Sequence, residues 1–306
     1  MTPTLFVVQL LNGLQLGMML FLMAAGLTLV FGIMNFINLA HGCLYMMGAY
    51  FAALAYGKTD SFFLSVVAAI VGMFVLAVLL DRLALSRLYR RDHLDQVLAT
   101  FGLILFANAA VRLFWGSAPL YMEVPNWLAQ SVQVLGLNYP AYRVAIIVTG
   151  LLVAFGLHVL IDRTRVGMLI RAGASNRDMV AALGVNIGWL TTFVFALGAA
   201  LAGLAGAMAG PILSIQPGMG EPVLILTLIV IVIGGIGSIR GALFGALIVG
   251  VVDTLGRAVL PTLLFKLFDP TVAGAAGPAL ASVAVYVLMA TVLALKPEGL
   301  FPVQHA

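Results

Sequence analysis

Charge is the first thing this sequence lacks. Only 8% of its 306 residues are Asp, Glu, Lys or Arg, against roughly 25% in an average soluble domain. Apolar residues make up 63% and the mean hydropathy is +1.16, too little polar surface to cover a soluble fold of this size. Soluble enzymes, nucleic-acid binders and disordered chains are thereby excluded. The net charge of +4 and pI near 9.4 do not revive nucleic acid as a partner, because excess Lys and Arg in a membrane protein mark cytoplasmic loops. Cysteine is scarcer still. Cys43 stands alone inside an apolar run, so it forms no intrachain disulfide and reads as a small buried hydrophobe. The four histidines are scattered without paired-ligand spacing, so no metal site is expected. There is no Gly-x-x-x-x-Gly-Lys-Ser/Thr, hence no P-loop and no cofactor expected in this chain. No acids, histidines and nucleophile gather near one interface, so no catalytic residue is assigned and an enzyme is not expected. The start, Met1-Thr-Pro-Thr4, has no basic n-region, and the first apolar run is read as a retained span.

What is present is long continuous apolar runs. About 20 apolar residues cross a bilayer as a helix. Candidate spans are 5–31, 35–56, 62–80, 96–115, 143–161, 189–210, 223–239, 241–260 and 276–295. The fold class is all-α: a polytopic membrane helical bundle of eight to ten transmembrane helices, forming one transmembrane domain over 1–306. Almost no loop separates the runs near 31–35 and 239–241, where a tight turn, kink or broken helix is expected. Arg82, Arg87, Arg90 and Arg91 lie in one loop, and Arg163, Arg165, Arg171 and Arg177 in another, whereas 57–61, 116–142 and 261–275 hold only Lys58 and Lys266. The two Arg-rich loops are therefore expected in the cytoplasm. With nine spans the N-terminus is outside and the C-terminus inside. Trp115, Tyr121, Trp127 and Tyr139 suit an interfacial cap on the outer face. Small residues recur at helix-packing spacing, as in Gly198, Ala202, Gly206 and Gly210, in Gly13 and Gly17, and in Gly241 and Gly245.

Polar residues inside such runs need a reason. Asn12 and Gln15 read as interhelical hydrogen-bonding groups, and Asp253 with Arg257, four apart, as an intrahelical pair. His158 sits where headgroups would meet it, and Arg240 reads as a turn residue between spans. Asn35, Asn38 and His41 crowd one short stretch and are the candidate translocation-path residues, with ordinary helix–helix hydrogen bonding left open as the other reading. Two segments share an apolar run, a glycine break, a polar interruption and a resumed run: Gly26 to Gly42, and Ile231 to Gly245 with Gly234 and Gly235 at its break. Paired interruptions of this kind point to a transporter's binding site, and a pair of ordinary helix ends is the alternative.

The second basic loop, 162–188, carries a sequence-coded helix. Ser175 with Asp178 three residues on forms a loose capping box, Met179, Val180, Ala182 and Leu183 give one apolar face, and Gly184 suits the position that ends the helix. A helix of about two turns needs something to pack on, either this protein, a partner or the membrane surface.

The motifs Leu11-Asn-Gly-Leu-Gln-Leu-Gly17, Ala25-Gly-Leu-Thr-Leu-Val-Phe-Gly-Ile-Met34, Ile37-Asn-Leu-Ala-His-Gly42, Phe195-Ala-Leu-Gly-Ala-Ala-Leu-Ala-Gly-Leu-Ala-Gly206 and Gly234-Gly-Ile-Gly-Ser-Ile-Arg-Gly-Ala242 resemble the branched-chain amino acid ABC importer permeases, H-type subunit. The resemblance covers nearly the whole chain, in order. One departure is Asp253, where many relatives are expected to carry Glu. The resemblance implies a permease subunit importing leucine, isoleucine or valine across a bacterial-type inner membrane. Its partners would be a second, M-type permease, two cytoplasmic ATPases that hold ATP and Mg, and an extracytoplasmic binding protein, all assembled around the lipid bilayer. It also implies that the 162–188 loop couples to the ATPase, with Arg171, Ser175, Asn176, Asp178, Ala181, Leu183 and Gly184 as coupling residues. Urea, amides and aromatic or other small carboxylates are alternative cargoes of the same machinery. An ion-coupled secondary transporter is the rival class, with Asp253 and Glu221 as its candidate carboxylates.

Overall fold

The computed structural model describes residues 3–34, 36, 38–89, 91–134, 136–266 and 269–302 of the chain. Among them the chain forms eleven α-helices and one small hairpin. In order these are α1 (Pro3–Met34), α2 (His41–Thr59), α3 (Phe62–Leu83), α4 (His93–Trp115), the hairpin β1 (Ser131–Val134) and β2 (Leu137–Pro140), α5 (Ala141–Arg163), α6 (Arg165–Ser175), α7 (Arg177–Ala182), α8 (Ile187–Ala209), α9 (Gly220–Gly234), α10 (Ile239–Leu264) and α11 (Pro270–Leu295). Seven of them, α1, α3, α4, α5, α8, α10 and α11, are long and apolar enough to cross a membrane, so the protein is a multi-pass membrane bundle. The other two apolar segments of the nine are shorter: α2 has 19 residues and α9 only 15.

Two helices are central. The most apolar stretch of α8 is 89% buried and that of α1 83%, against 17% for α5 and 11% for α11. Helices α5 and α11 therefore present most of their surface outward, as helices facing lipid do. The central contacts are made backbone to backbone through small residues. A Cβ placed on Gly26 would stand 2.5 Å from the Gly198 carbonyl oxygen, and one on Gly206 would meet backbone atoms of Tyr45 and Ala49 on α2. Gly13 and Gly17 of α1 press in the same way on α10 at Val251 and Ala246. The small-residue rows seen in the sequence are thus seams between particular helices.

The short helices begin inside the bundle. His41, the first residue of α2, lies beside Met23, eleven residues before the end of α1, a rise of roughly 16 Å. The chain leaving α1 therefore turns back alongside it before α2 starts. Phe36, Asn38 and Ala40 on this return are all buried, which suits non-helical backbone at membrane depth. Helix α9 starts likewise, with Gly220 packed on Gly42 and Glu221 accepting from Asn108 Nδ2 at 2.6 Å. Its other end turns sharply at Gly235, with φ +103°, into α10, so the expected span 223–239 is cut at Gly234. The carbonyls of Ile233 and Gly234, at the C-terminal end of α9, accept from the backbone N–H groups of Leu300 and Phe301, both at 2.9 Å. Phe301 also stacks on Phe244, with ring centroids 5.1 Å apart.

One end of the bundle gathers the basic loops. Arg240 in the first turn of α10, not in the turn before it, and Arg171 in α6 both lie 3.5 Å from Asp162, which also lies 2.8 Å from His158 Nδ1. His158 Nδ1 therefore faces the Asp162 carboxylate one turn on along its own helix. The opposite end carries the hairpin, with exposed Tyr121 and Trp127, and a backbone bridge between Leu120 and Ile215.

Gly206→Ala should lower thermal stability in detergent by roughly 1–3 kcal/mol, because the new methyl meets backbone that cannot rotate away. Gly156→Ala, with nothing within 4 Å of its Cβ, should leave stability unchanged or raise it by up to ~1 kcal/mol.

Candidate functional site

The surface most ready for a partner is built by α6 and α7 at the basic end. Thr164 caps α6, its hydroxyl accepting from Gly167 N at 3.1 Å, and Ser175 is the last residue of that helix. The cap of α7 is Asn176, whose side-chain oxygen accepts from Met179 N at 2.9 Å. The expected cap thus moves by one residue, from Ser175 to Asn176, because the unforeseen α6 runs directly into the loop. Asn serves the cap as well as Ser does. Helix α7 has six residues, with Asp178 in the first turn, where an acid suits the helix dipole. Gly184, at φ +86°, ends it by donating to the Ala181 carbonyl at 2.9 Å.

The faces of α7 divide sharply. Val180 is buried, whereas Met179, Ala181 and Leu183 are exposed, Leu183 at 77%. Of the expected apolar face, one residue therefore packs on this protein and the rest is free. Arg177 fastens the helix to the core by donating from its guanidinium to the Ile33 carbonyl at the end of α1. Arg171 donates to the Ile161 carbonyl at the end of α5. Burial pulls the Arg177 guanidinium below its ordinary pKa.

Beneath α7 lies a polar cluster missed in the sequence, where Asp81 looks like one more loop charge. Asp81 is 1% exposed and accepts from the Tyr89 phenol and, at 2.6 Å, from the Thr192 hydroxyl. Burial and the neighbouring Asp81 carboxylate hold the Tyr89 phenol well above its usual pKa, so it stays a donor. Arg82 lies over the Trp189 ring, 4.3 Å from its centroid. Tyr89 and Arg177 form a wall shared by two cavities, about 790 Å³ toward Phe31, Ile33 and Ile236, and about 630 Å³ toward Arg82, Ser86 and Thr191. The clue available in the sequence is one acid at the very end of an apolar run, followed eight residues later by Tyr89.

The path candidates separate. Asn35 lies outside the described residues. Asn38 is 1% exposed, and neither end of its amide has a hydrogen-bond partner among the described residues. It borders an apolar cavity of about 200 Å³ between Leu27 and Phe31 of α1 and Leu228 and Ile231 of α9. His41 is fully buried, with Nε2 3.2 Å from the Met23 carbonyl oxygen. A carbonyl only accepts, so Nε2 carries the proton and Nδ1 is left as an acceptor without a partner among the described residues. Gly234 and Gly235 do not join them. A Cβ on Gly234 would meet the Gly241 carbonyl, and Gly235 faces the backbone of Phe301. At this second break the lining residues are Ile236 and Gly237.

Comparison with known proteins adds the following. Residues 9–293 match the family described as branched-chain amino acid transport system, permease component. The chain is 31% identical over 270 residues to the high-affinity branched-chain amino acid transport system permease protein LivH of Salmonella typhimurium, covering 84% of this chain and 88% of that one. It is 33% identical over 264 residues to the corresponding permease protein BraD of Pseudomonas aeruginosa, covering 82% and 86%. A fructose import permease protein, FrcC of Rhizobium meliloti, is 30% identical over 186 residues, 57% of this chain and 51% of its own.

Removing one donor to Asp81 should be costly. Tyr89→Phe and Thr192→Val should each reduce stability by about 1.5–3 kcal/mol, and the double variant by less than the sum, because both serve one carboxylate. A double-mutant cycle on thermal unfolding of the purified protein checks this.

Proposed function

The chain belongs to the family of branched-chain amino acid transport system permease components, and from that premise we propose that it is the H-type transmembrane subunit of an ATP-driven importer of leucine, isoleucine and valine. Its setting is the inner membrane, with the α6–α7 end in the cytoplasm. The second permease, two ATPases and the extracytoplasmic binding protein complete the machine, and ATP and Mg sit in the ATPases. Hydrolysis belongs to those subunits; this chain's part is transport.

One observation carries the reading. Helix α7 is anchored from below by Val180 and Arg177, yet leaves Met179, Ala181 and Leu183 uncovered at the end of the bundle that holds the Arg-rich loops. The sign of those loops favours the cytoplasm. A short helix fixed on one face and free on the other transmits a push without bending. Arg177 connects it to the end of α1, so movement of an ATPase against α7 would bear on the return segment that contains Asn38 and His41. Nucleotide then shifts the population between inward- and outward-facing states. Arg171, Ser175, Asn176, Asp178 and Gly184 serve the coupling by fixing the helix ends. Asn38 and His41, with unpartnered amide and imidazole atoms, are the path residues in this reading.

Ala181→Arg should reduce ATPase co-purification and ATP-driven leucine uptake by about tenfold or more. The reading of α7 fails if both persist. Uptake that follows a sodium or proton gradient without any ATPase would establish the secondary-transporter alternative instead. Asn38→Ala should lower uptake without loss of assembly, and unchanged uptake would leave the residue as scaffold.

A further inference from the structure

Away from α7, near the opposite end of the bundle, a cavity of about 380 Å³ opens between α1, α5 and α10. Its volume falls in the lower part of the range for small-ligand pockets, about 300–1,000 Å³. Charges of both signs face it, in a protein that has few to place. Asp253 is 4% exposed, and Arg257 Nε engages only one of its oxygens, Oδ2, at 2.8 Å. The other, Oδ1, is buried with no partner among the described residues. Arg257 turns its far nitrogen away to Ser282, at 3.2 Å.

Across the cavity stands Arg143, which has no carboxylate partner among the described residues. Its guanidinium donates to the amide oxygen of Asn12, an oxygen that already accepts from the Tyr139 phenol at 3.0 Å. Two donors thus converge on one neutral acceptor. Gln15, 7% exposed, donates only to the Met19 thioether, at 3.0 Å, a weak acceptor. Leu16, Met19 and Ile212 supply an apolar wall.

A buried carboxylate with an idle oxygen is costly in a membrane bundle, and so is a cation that lacks an anion. The intrahelical Asp253–Arg257 pair accounts for half of this arrangement and leaves Asp253 Oδ1 and Arg143 unexplained. We propose that this cavity binds a small zwitterionic α-amino acid with an apolar side chain. Its ammonium donates to Asp253 Oδ1, its carboxylate takes the Arg143 guanidinium, and its side chain lies against Leu16 and Met19. Charge-assisted bonds of both signs then replace the two uncompensated groups. The inference deepens the functional reading above and rests on it for the choice of leucine as probe. It gives the cargo a contact point in the permease itself, ahead of Asn38 and His41.

The test uses the full chain, with whatever subunits co-purify and without the soluble binding protein, in lipid nanodiscs. Thr254, on the cavity wall, is replaced by cysteine in a Cys43→Ala background, and maleimide labelling is timed. Leucine should slow labelling, whereas isoamylamine, which lacks the carboxylate, and 4-methylpentanoate, which lacks the ammonium, should protect about tenfold less well or worse. Asp253→Asn and Arg143→Gln should each abolish protection by leucine, and Asp253→Glu should retain part of it. The analogue series needs no charge variant, so it decides the matter even if Asp253→Asn fails to fold. No protection by leucine, or equal protection by all three compounds, overturns the site and leaves a polar cavity that holds water only. ATP-driven leucine uptake without protection at Thr254→Cys sinks the site alone. Protection without ATP-driven uptake sinks the importer reading and leaves the site standing.

Discussion

Backbone amides at membrane depth have no water to turn to, and the architecture follows from how each is satisfied inside the protein. Seven long helices satisfy their own. Wherever the chain departs from helix within the bundle, another part of the chain covers it. The return segment before α2 is buried between helices. The stretch before α9 forms a backbone bridge at Leu120 and Ile215. The free end of α9 is closed by Leu300 and Phe301. Each interruption is tolerable only because a neighbour approaches closely, and glycine makes that approach possible. Gly26 against Gly198, and Gly220 against Gly42, set the distance at which the irregular segments fit.

Polar side chains obey the same constraint with less freedom. One cluster pairs fully and holds helices together: both Asp81 carboxylate oxygens accept, one from Tyr89 and the other from Thr192. Buried polar atoms without a partner among the described residues are more widespread, and include those of Thr28, Tyr45, Tyr50, Gln96, Asn108 and Glu221. Two such places border cavities: the stretch before α2, at Asn38, and the pocket beside Asp253. Incomplete pairing at depth is expensive, and beside a cavity it leaves a group that a ligand can satisfy. Neither place lies at the α7 surface. Coupling and cargo contact are therefore expected to be linked through the length of α1, which carries Asn12 and Gln15 near one end and receives Arg177 at the other.

Much of this was legible in the sequence. Continuous apolar runs located the spans, arginine clusters marked one end, and spaced glycines identified the seams. Gly184 foretold the end of α7. Other features were not legible, for physical reasons. The cap fell on Asn176 instead of Ser175 because both residues cap well and only the presence of α6 decides between them. Helix α6 itself hid because its inner face is Gly167, Ile170 and Gly173, with little apolar bulk to reveal it. Asp81 looked like a loop charge because its partner Thr192 is 111 residues away in the chain. Gly234 and Gly235 shared a sequence pattern with the Asn38 region, yet a glycine pattern does not distinguish a cavity wall from a tight backbone contact.

The length of α9 bears on how the protein enters the membrane. Fifteen residues rise about 22 Å, short of the roughly 30 Å hydrocarbon core. Such a segment cannot insert as an independent span, because it leaves unsatisfied backbone at one end in lipid. It must arrive as one arm of a hairpin with α10, joined by the close contact of Gly234 and Gly241, and find α2 already in place to receive Gly220. Biogenesis is therefore ordered by helix length: the long helices make a solvent into which the short ones can fold.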